Sequence, residues 1–308
     1  MDLKIESLSK SFGNQKAVDN ISFEVRSGEI VGFLGPNGAG KTTTMKMLTQ
    51  YISPDHGTIW YGSSSSRDAI ELRRSIGYLP EHNPLYEDMP MLDYLAFCAA
   101  LQGVPQGEIQ NNIRNMVKKC GLDVEKHKKI GELSKGFRQR VGLAQAIIHN
   151  PKILILDEPT TGLDPNQIVE IRELIKQLGR EKTVILSTHI LPEVEATCDR
   201  LLIINKGKIV ADGTVSNLRK QSENRQILHV RIDGPNQNGI FEILKNEPGV
   251  SMVDLINRNE NKFEIQSHDT EPLNRKIFHL CVKNGWELLE MIPFETKLED
   301  IFRDLTIN

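Results

Sequence analysis

A glycine-rich segment near the start of the chain has the residue types and spacing of a phosphate-binding loop. It reads Gly35-Pro36-Asn37-Gly38-Ala39-Gly40-Lys41-Thr42, which matches G-x-x-x-x-G-K-[ST] at every fixed position, and Thr43 follows. Glycines let backbone N–H groups turn inward around phosphate oxygens. In this pattern the lysine reaches the β- and γ-phosphates, and the threonine hydroxyl ligates Mg²⁺.

Acidic and imidazole side chains follow at the ends of two later apolar runs. Asp157 and Glu158 end the segment ILILDE, and His189 ends TVILSTH. The spacing predicts that Asp157 holds Mg²⁺ and that Glu158 polarises an attacking water. His189 is within reach of the γ-phosphate if the ends of parallel strands meet. The competing interpretations are a solvated acidic strand end and a structural histidine.

The surrounding segments predict a sheet that would bring these residues together. The short apolar runs 30–34, 152–159 and 183–189 are typical of strands buried on both faces, and the amphipathic helix 168–179 separates two of them. Strands alternating with helices indicate a parallel sheet. The alternating segments 3–12, 21–25 and 57–62 predict further, antiparallel strands, and residues 85–150 show mainly helical spacing.

Composition excludes several classes of protein. The chain has 308 residues, of which 39% are hydrophobic and 26% charged, with a net charge of −3. It is therefore neither disordered nor a polybasic nucleic-acid binder. The longest apolar run has seven residues, Leu95–Leu101, whereas a membrane span needs about 20. The start shows no signal-peptide pattern, so we expect the protein to stay in the compartment where it is made. We also expect its four cysteines to be reduced.

The length predicts two domains, which we place at residues 1–220 and 225–308. In the second, the predicted order is strand 227–233, helix 241–247, strands 250–256 and 262–267, helix 272–285 and strand 286–294. This βαββαβ order indicates a small α+β, ferredoxin-like domain. It carries no ligand cluster, so we interpret it as an accessory interaction or dimerisation domain.

The segment Leu133-Ser134-Lys135-Gly136-Phe137-Arg138-Gln139-Arg140 resembles the LSGGQ signature of ATP-binding-cassette (ABC) ATPases. The resemblance covers residues 1–215 or so, because the other landmarks occur in the family's order. They are the adenine-stacking aromatic Phe12, the Walker A loop Gly35–Thr43, the Q-loop position Glu81, the Walker B pair Asp157 and Glu158, and the switch histidine His189.

The resemblance implies a P-loop ABC ATPase domain with a parallel core sheet, an antiparallel β subdomain and a helical subdomain at about 85–150. Its cofactors are ATP and Mg²⁺, the metal held by Thr42, Asp157 and Glu81. Ser134 and Gly136 would meet the γ-phosphate of ATP bound to a second copy of the chain. The sequence departs from the family at Lys135, Phe137 and Glu81, which stand where glycine, glutamine and glutamine are usual.

The resemblance also implies partners and a location. Separate transmembrane permease subunits would dock beside residues 81–93, with Tyr86, Met89 and Met91 exposed, and the protein would be cytoplasmic and peripheral on the inner face of the cell membrane. No nucleic-acid partner is implied. The segments GYLPEHNPLYEDM, LSKGFRQRVGLAQAIIHNP and 297–302 resemble ABC-2-type exporter ATPases, most of all gliding motility-associated subunits.

Two other classes of function stay open on the sequence. One is a non-transport ABC ATPase, although only 93 positions separate Lys41 from Ser134 and no heptads of a DNA-repair coiled coil occur there. The other is a regulatory ligand-binding module centred on the second domain. Phe12 could also be an ordinary core aromatic, and Glu81 a solvated loop carboxylate.

Overall fold

The computed structural model divides the chain into two compact units, residues 1–214 and 215–307. It describes every residue except 63, 66–68, 224–225, 235, 268, 270, 295–297 and 308. The boundary lies six residues before the expected end of the first domain at 220. The reason is that the helix Val215–Glu223 packs against the helix Leu298–Ile307 of its own unit. The expected start of the second domain, 225, and the first residue of segment 297–302 lie outside the described residues.

Antiparallel strands form the first sheet, in the order β2-β1-β4-β5. Their bounds are β1 Leu3–Phe12, β2 Gln15–Val25, β4 His56–Tyr61 and β5 Ser64–Ser65. Leu3, Ile5 and Leu8 of β1 are buried, whereas Lys4 is exposed, so this alternation turns one face of the sheet to the core. The antiparallel pairing expected from the alternating pattern is confirmed.

A six-stranded sheet in the order β10-β9-β3-β8-β7-β6 forms the centre of the first unit. Its strands are β3 Ile30–Leu34, β6 Ile76–Leu79, β7 Ile153–Asp157, β8 Thr183–Thr188, β9 Arg200–Asn205 and β10 Lys208–Gly213. All pairs are parallel except the hairpin β9–β10, which turns through Lys206 and Gly207, both at positive φ. The continuously apolar segments are buried on both faces, as predicted.

Apolar cores cover the two faces of this sheet. One core joins it to the antiparallel sheet and to α1, with Val31, Phe33 and Met45 among its members. The other joins it to the helices, with Leu154 and Leu156 on the sheet side. The helices of the unit are α1 Lys41–Leu48, α2 Ala69–Ser75, α3 Met91–Leu101, α4 Gln106–Lys119, α5 Lys135–Ile147, α6 Pro165–Gly179 and α7 Leu191–Thr197.

The second unit has the predicted βαββαβ order, between α8 Val215–Glu223 and α11 Leu298–Ile307. Its remaining elements are β11 Gln226–Asp233, α9 Gln237–Lys245, β12 Val250–Asn257, β13 Lys262–Ser267, α10 Leu273–Asn284 and β14 Glu287–Phe294. The antiparallel strand order β12-β13-β11-β14 is the ferredoxin-like arrangement. Ile240, Phe263 and Ile277 belong to its own apolar core.

Candidate functional site

The loop between β3 and α1 wraps the start of the helix at the carboxyl edge of the central sheet. Two of its glycines are required by close contacts. A Cβ on Gly35 would lie 2.5 Å from the carbonyl oxygen of Ile204, and one on Gly40, at φ 109°, 2.4 Å from that of Ala17. Gly40, Lys41 and Thr42 also line the cavity described below, so the N-terminus of α1 is positioned to bind an anion.

Lys41 is buried at the first position of α1, with 6% of its surface exposed. Its Nζ donates to the carbonyl oxygens of Gly35 at 2.8 Å and Pro36 at 3.3 Å. It also lies 3.3 Å from Oε1 of Glu158. The loop thus holds a cation beside the acidic end of β7, although 117 residues of sequence separate the two side chains.

Asp157 ends β7 as a fully buried carboxylate. Its Oδ1 accepts hydrogen bonds from Ser187 at 2.5 Å and Thr42 at 3.3 Å. Burial raises the pKa of this carboxyl above its ordinary value, and the two hydroxyl donors partly offset that effect. Oδ2 is buried and has no hydrogen-bond partner among the residues that the structure describes. Such an oxygen, next to the Thr42 hydroxyl, fits a hard divalent cation.

Glu158 follows Asp157 in the left-handed region, at φ 49°, which is uncommon for a residue with a side chain. Its backbone N–H is shared between the carbonyl and hydroxyl oxygens of Ser187, both at 3.1 Å. The carboxylate Oε2 meets Nδ1 of His189 at 2.9 Å and accepts from Thr161 at 3.4 Å. The turn therefore brings this carboxylate into contact with His189 and Thr161.

Lys41, Glu158 and His189 line a cavity of about 500 Å³, whereas the buried Asp157 is not part of its lining. The predicted site residues in its lining are Phe12, Asn37, Gly38, Gly40, Lys41, Thr42, Thr43, Glu81, Glu158 and His189. Phe12 is 54% exposed at the end of β1, and Lys10 Nζ lies 5.8 Å from its ring centre, so Phe12 is not a core aromatic. Pro36 and Ala39 do not line the cavity. Their backbone stabilises the loop, because the Ala39 carbonyl oxygen accepts a hydrogen bond from the Gly207 N–H at 2.9 Å.

Comparisons with known proteins agree with this geometry. A profile of the ABC transporter family matches residues 18–161. An uncharacterised ABC transporter ATP-binding protein of Bacillus subtilis, YxlF, is 36% identical, covering 97% of this chain and 98% of its own length. The bacitracin transport ATP-binding protein BcrA of Bacillus licheniformis is 35% identical, with 97% and 95% covered.

The chain belongs to the ABC transporter ATP-binding family. It is an ATP-binding protein and an ATPase. Among solved structures, cbiO1 of Clostridium perfringens, part of the ABC transporter complex cbiONQ, is similar with a TM-score of 0.65 and 30% identity, covering 72% of this chain and 91% of that one. Within the described residues, no helix of this ABC ATPase combines the length and apolar character that a membrane span requires.

The signature segment of this ABC ATPase lies apart from the cavity. Ser134 is exposed and caps α5, accepting from the Phe137 N–H at 3.3 Å. Gly136 is buried, and a Cβ there would lie 2.5 Å from the Gln167 side chain. Lys135 extends over Gly162. Within one chain, therefore, the structure does not bring Ser134 and Gly136 to the nucleotide cavity.

Residues 81–93 differ from expectation. Tyr86 is 57% exposed, but Met89 is partly buried and Met91, at the start of α3, is fully buried in the helical core. The prediction that Met91 is exposed is therefore wrong. The exposed apolar side chains here are aromatic rather than methionines. Phe97 is 39% exposed, and its ring centre lies 5.9 Å from that of Tyr86.

Several residues of the site belong to no recognisable sequence motif. Ser187 is the most important of them, because it is buried behind the cavity-lining residues and contacts both Asp157 and Glu158. Only the strand register reveals Ser187 as a site residue, because Asp157 and Ser187 are partners on the neighbouring parallel strands β7 and β8. Gln15 and Thr161 complete the cavity wall.

Proposed function

We propose that this chain hydrolyses MgATP to drive separate membrane permease subunits, as the ATP-binding subunit of an ABC-2-type exporter. The observation that best supports this proposal is the meeting of Lys41, Glu158 and His189 at one cavity, with the pair Thr42–Asp157 beside them. A cation, a carboxylate and an imidazole around a phosphate-sized loop are suited to phosphoryl transfer to water.

Each of these side chains has a distinct task in the proposed reaction. The Lys41 ammonium binds the β- and γ-phosphate oxygens. The Glu158 carboxylate orients the attacking water and takes up its proton. The Nδ1–H of His189 donates to the Glu158 carboxylate, which fixes the direction of that carboxylate, and the half-exposed His189 ring would face the γ-phosphate.

Thr42, Asp157 and Glu81 would hold the Mg²⁺. Oxygen donors are the ligands this ion prefers, and Oδ2 of Asp157, which has no hydrogen-bond partner within the described part of the chain, supports the assignment. When bound, the ion neutralises phosphate charge. Glu81 lines the same cavity, and its charge acts on Asp157, where it contributes to the raised pKa of that carboxyl.

A second copy of the chain would complete the site. Ser134 and the N-terminus of α5 are exposed away from the cavity, so they are available to the γ-phosphate of ATP bound to a partner copy. Two ATP molecules would then be enclosed between two chains, with no nucleic acid involved.

The permease would dock beside the exposed pair Tyr86 and Phe97, in the segment that follows Glu81. With this docking we propose a location in the cytoplasm, peripheral on the inner face of the membrane. A transport role is supported by the bacitracin transport relative, and the export direction rests on the sequence resemblance to ABC-2-type exporter ATPases. The narrower context, gliding motility, rests on the sequence resemblance alone. For the second unit we propose an accessory interaction or dimerisation role.

Two substitutions test the proposed chemistry. Lys41→Ala should abolish ATP hydrolysis, whereas the matched control Lys152→Ala, an exposed lysine just before β7 at the opposite end from Asp157, should leave it unchanged. Glu158→Gln should keep ATP binding, lower turnover by 10²–10⁴-fold, and accumulate as a dimer in sizing chromatography with MgATP. Near-normal turnover in Lys41→Ala, or a monomeric and active Glu158→Gln variant, would contradict the assignment.

The transport role is tested by purifying the tagged chain from detergent-solubilised membranes. A co-purifying membrane-spanning protein whose recovery falls with Tyr86→Ala supports it. Recovery of the chain without any membrane protein, with ATPase activity intact, would favour a non-transport ABC ATPase.

A further inference from the structure

A buried carboxylate behind the nucleotide cavity has no part in the chemistry described so far. Glu193 lies on α7, four residues after His189, with 3% of its surface exposed. It is absent from the cavity lining. Burying a carboxylate costs free energy, so the contacts of Glu193 indicate what its burial contributes to the protein.

Glu193 joins two segments that are distant in sequence. Its Oε2 accepts hydrogen bonds from Thr160 Oγ1 at 2.7 Å and from Thr188 Oγ1 at 3.0 Å. Both hydroxyls are buried. Thr160 comes two residues after Glu158, and Thr188 comes immediately before His189. One oxygen atom therefore connects the turn that carries Glu158 to the strand end that carries His189.

The other carboxylate oxygen indicates that stability alone does not explain this residue. Oε1 of Glu193 is buried and has no hydrogen-bond partner among the described residues. An unsatisfied charged oxygen destabilises the folded state, and a well-packed neutral side chain of similar volume is often as stable or more so.

We propose that Glu193 is a positioning residue for hydrolysis, which keeps Glu158 and His189 at their 2.9 Å approach. This inference rests on the proposed roles of those two residues. Both need support from behind, because Glu158 occupies a strained backbone conformation and the His189 side chain is 45% exposed. The Thr188 hydroxyl extends the support, since it also accepts from the Ile190 N–H at 3.1 Å.

The test is steady-state ATP hydrolysis by the full chain carrying Glu193→Ala or Glu193→Gln. A misplacement of about 1 Å at a reacting centre lowers rates by about 10²-fold. We therefore expect kcat of Glu193→Ala to fall by about 10²-fold, with KM for ATP changed less than about twofold. Glu193→Gln should keep kcat within about fivefold, because its amide oxygen can accept both threonine hydrogen bonds.

A purely structural role gives a different result. A lower melting temperature in Glu193→Ala with unchanged kcat would overturn the proposal, as would equal losses of kcat in Glu193→Ala and Glu193→Gln. If Glu193→Ala does not fold, Thr160→Val and Thr188→Val decide the question, since each removes one of the two hydrogen bonds. Lower kcat in both supports the proposal, and unchanged kcat in either refutes it.

Glu158→Gln, measured in parallel, separates this inference from the proposed function. Full activity in Glu158→Gln would contradict the proposed catalytic role of Glu158, on which the positioning role of Glu193 depends. Lost activity in Glu158→Gln together with full activity in Glu193→Ala would remove only the positioning role.

Discussion

The contact between Lys41 and Glu158 predicts a measurable energetic coupling between the phosphate-binding loop and the acidic end of β7. The two side chains are each 6% exposed, and Nζ lies 3.3 Å from Oε1. Lys41→Met keeps the apolar stem and removes the charge, while Glu158→Gln keeps the shape and removes the charge. The two single variants and the double variant form a thermodynamic cycle for this pair.

The magnitude follows from the distance and the burial. At an effective dielectric constant of about 20, two unit charges 3.3 Å apart attract by about 5 kcal/mol, and the cost of desolvating both offsets much of this. A buried charge left wholly unpaired costs about 3–5 kcal/mol. Glu158 keeps His189 and Thr161 when Lys41 is replaced, so we expect Lys41→Met to cost about 2 kcal/mol.

Urea unfolding without nucleotide, followed by fluorescence, measures the coupling. The chain has two tryptophans, and in a Trp286→Phe background Trp60 reports on the first unit alone. For a unit of this size, about 2 kcal/mol corresponds to a melting temperature lower by about 4–8 °C. The double variant should lose about 1–3 kcal/mol less than the sum of the single variants. A coupling below about 0.3 kcal/mol would show that the pair is not a working contact and would refute this reasoning.

Two further predictions concern the metal and the domain boundary. Glu81→Gln should keep ATP hydrolysis but need more Mg²⁺ for half-maximal rate, because a carboxylate is the stronger ligand. If the Mg²⁺ titrations of wild type and variant superimpose, Glu81 is a solvated loop carboxylate and not a metal ligand. A chain ending at Thr214 should fold and bind ATP, because the described landmarks of the cavity lie before that residue; a folded fragment that binds no nucleotide in a calorimetric titration would contradict the division into two units.

Local sequence patterns were sufficient to predict the phosphate-binding loop and the strand ends. An apolar strand, a glycine motif and a helix follow one another within residues 30–48, so the loop depends little on distant contacts. The same holds for Asp157, since a continuously apolar run predicts a buried parallel strand and its end. The ferredoxin-like order of the second unit followed from alternating patterns in the same way.

Features that depend on long-range packing were not predictable in this way. Ser187 contacts Asp157 because β7 and β8 pair in one particular register, and nothing near Ser187 in sequence encodes that register. The predicted exposure of Met91 is wrong because the first turn of α3 directs this side chain into the helical core. The positive φ of Glu158 also has no local signal, since a glycine would be the usual residue there.

The parallel pairing of β3 with β8 has a consequence for biosynthesis. Ile30 lies opposite Val184, so about 150 residues must be added before the strand that leads into the phosphate-binding loop gains this neighbour. At about 5–20 residues per second, a nascent chain waits on the order of 8–30 s with β3 unpaired on that side. During this interval an apolar strand is open to association with other chains. Synonymous codon changes that slow synthesis between these strands should therefore lower the yield of folded protein without altering its final stability.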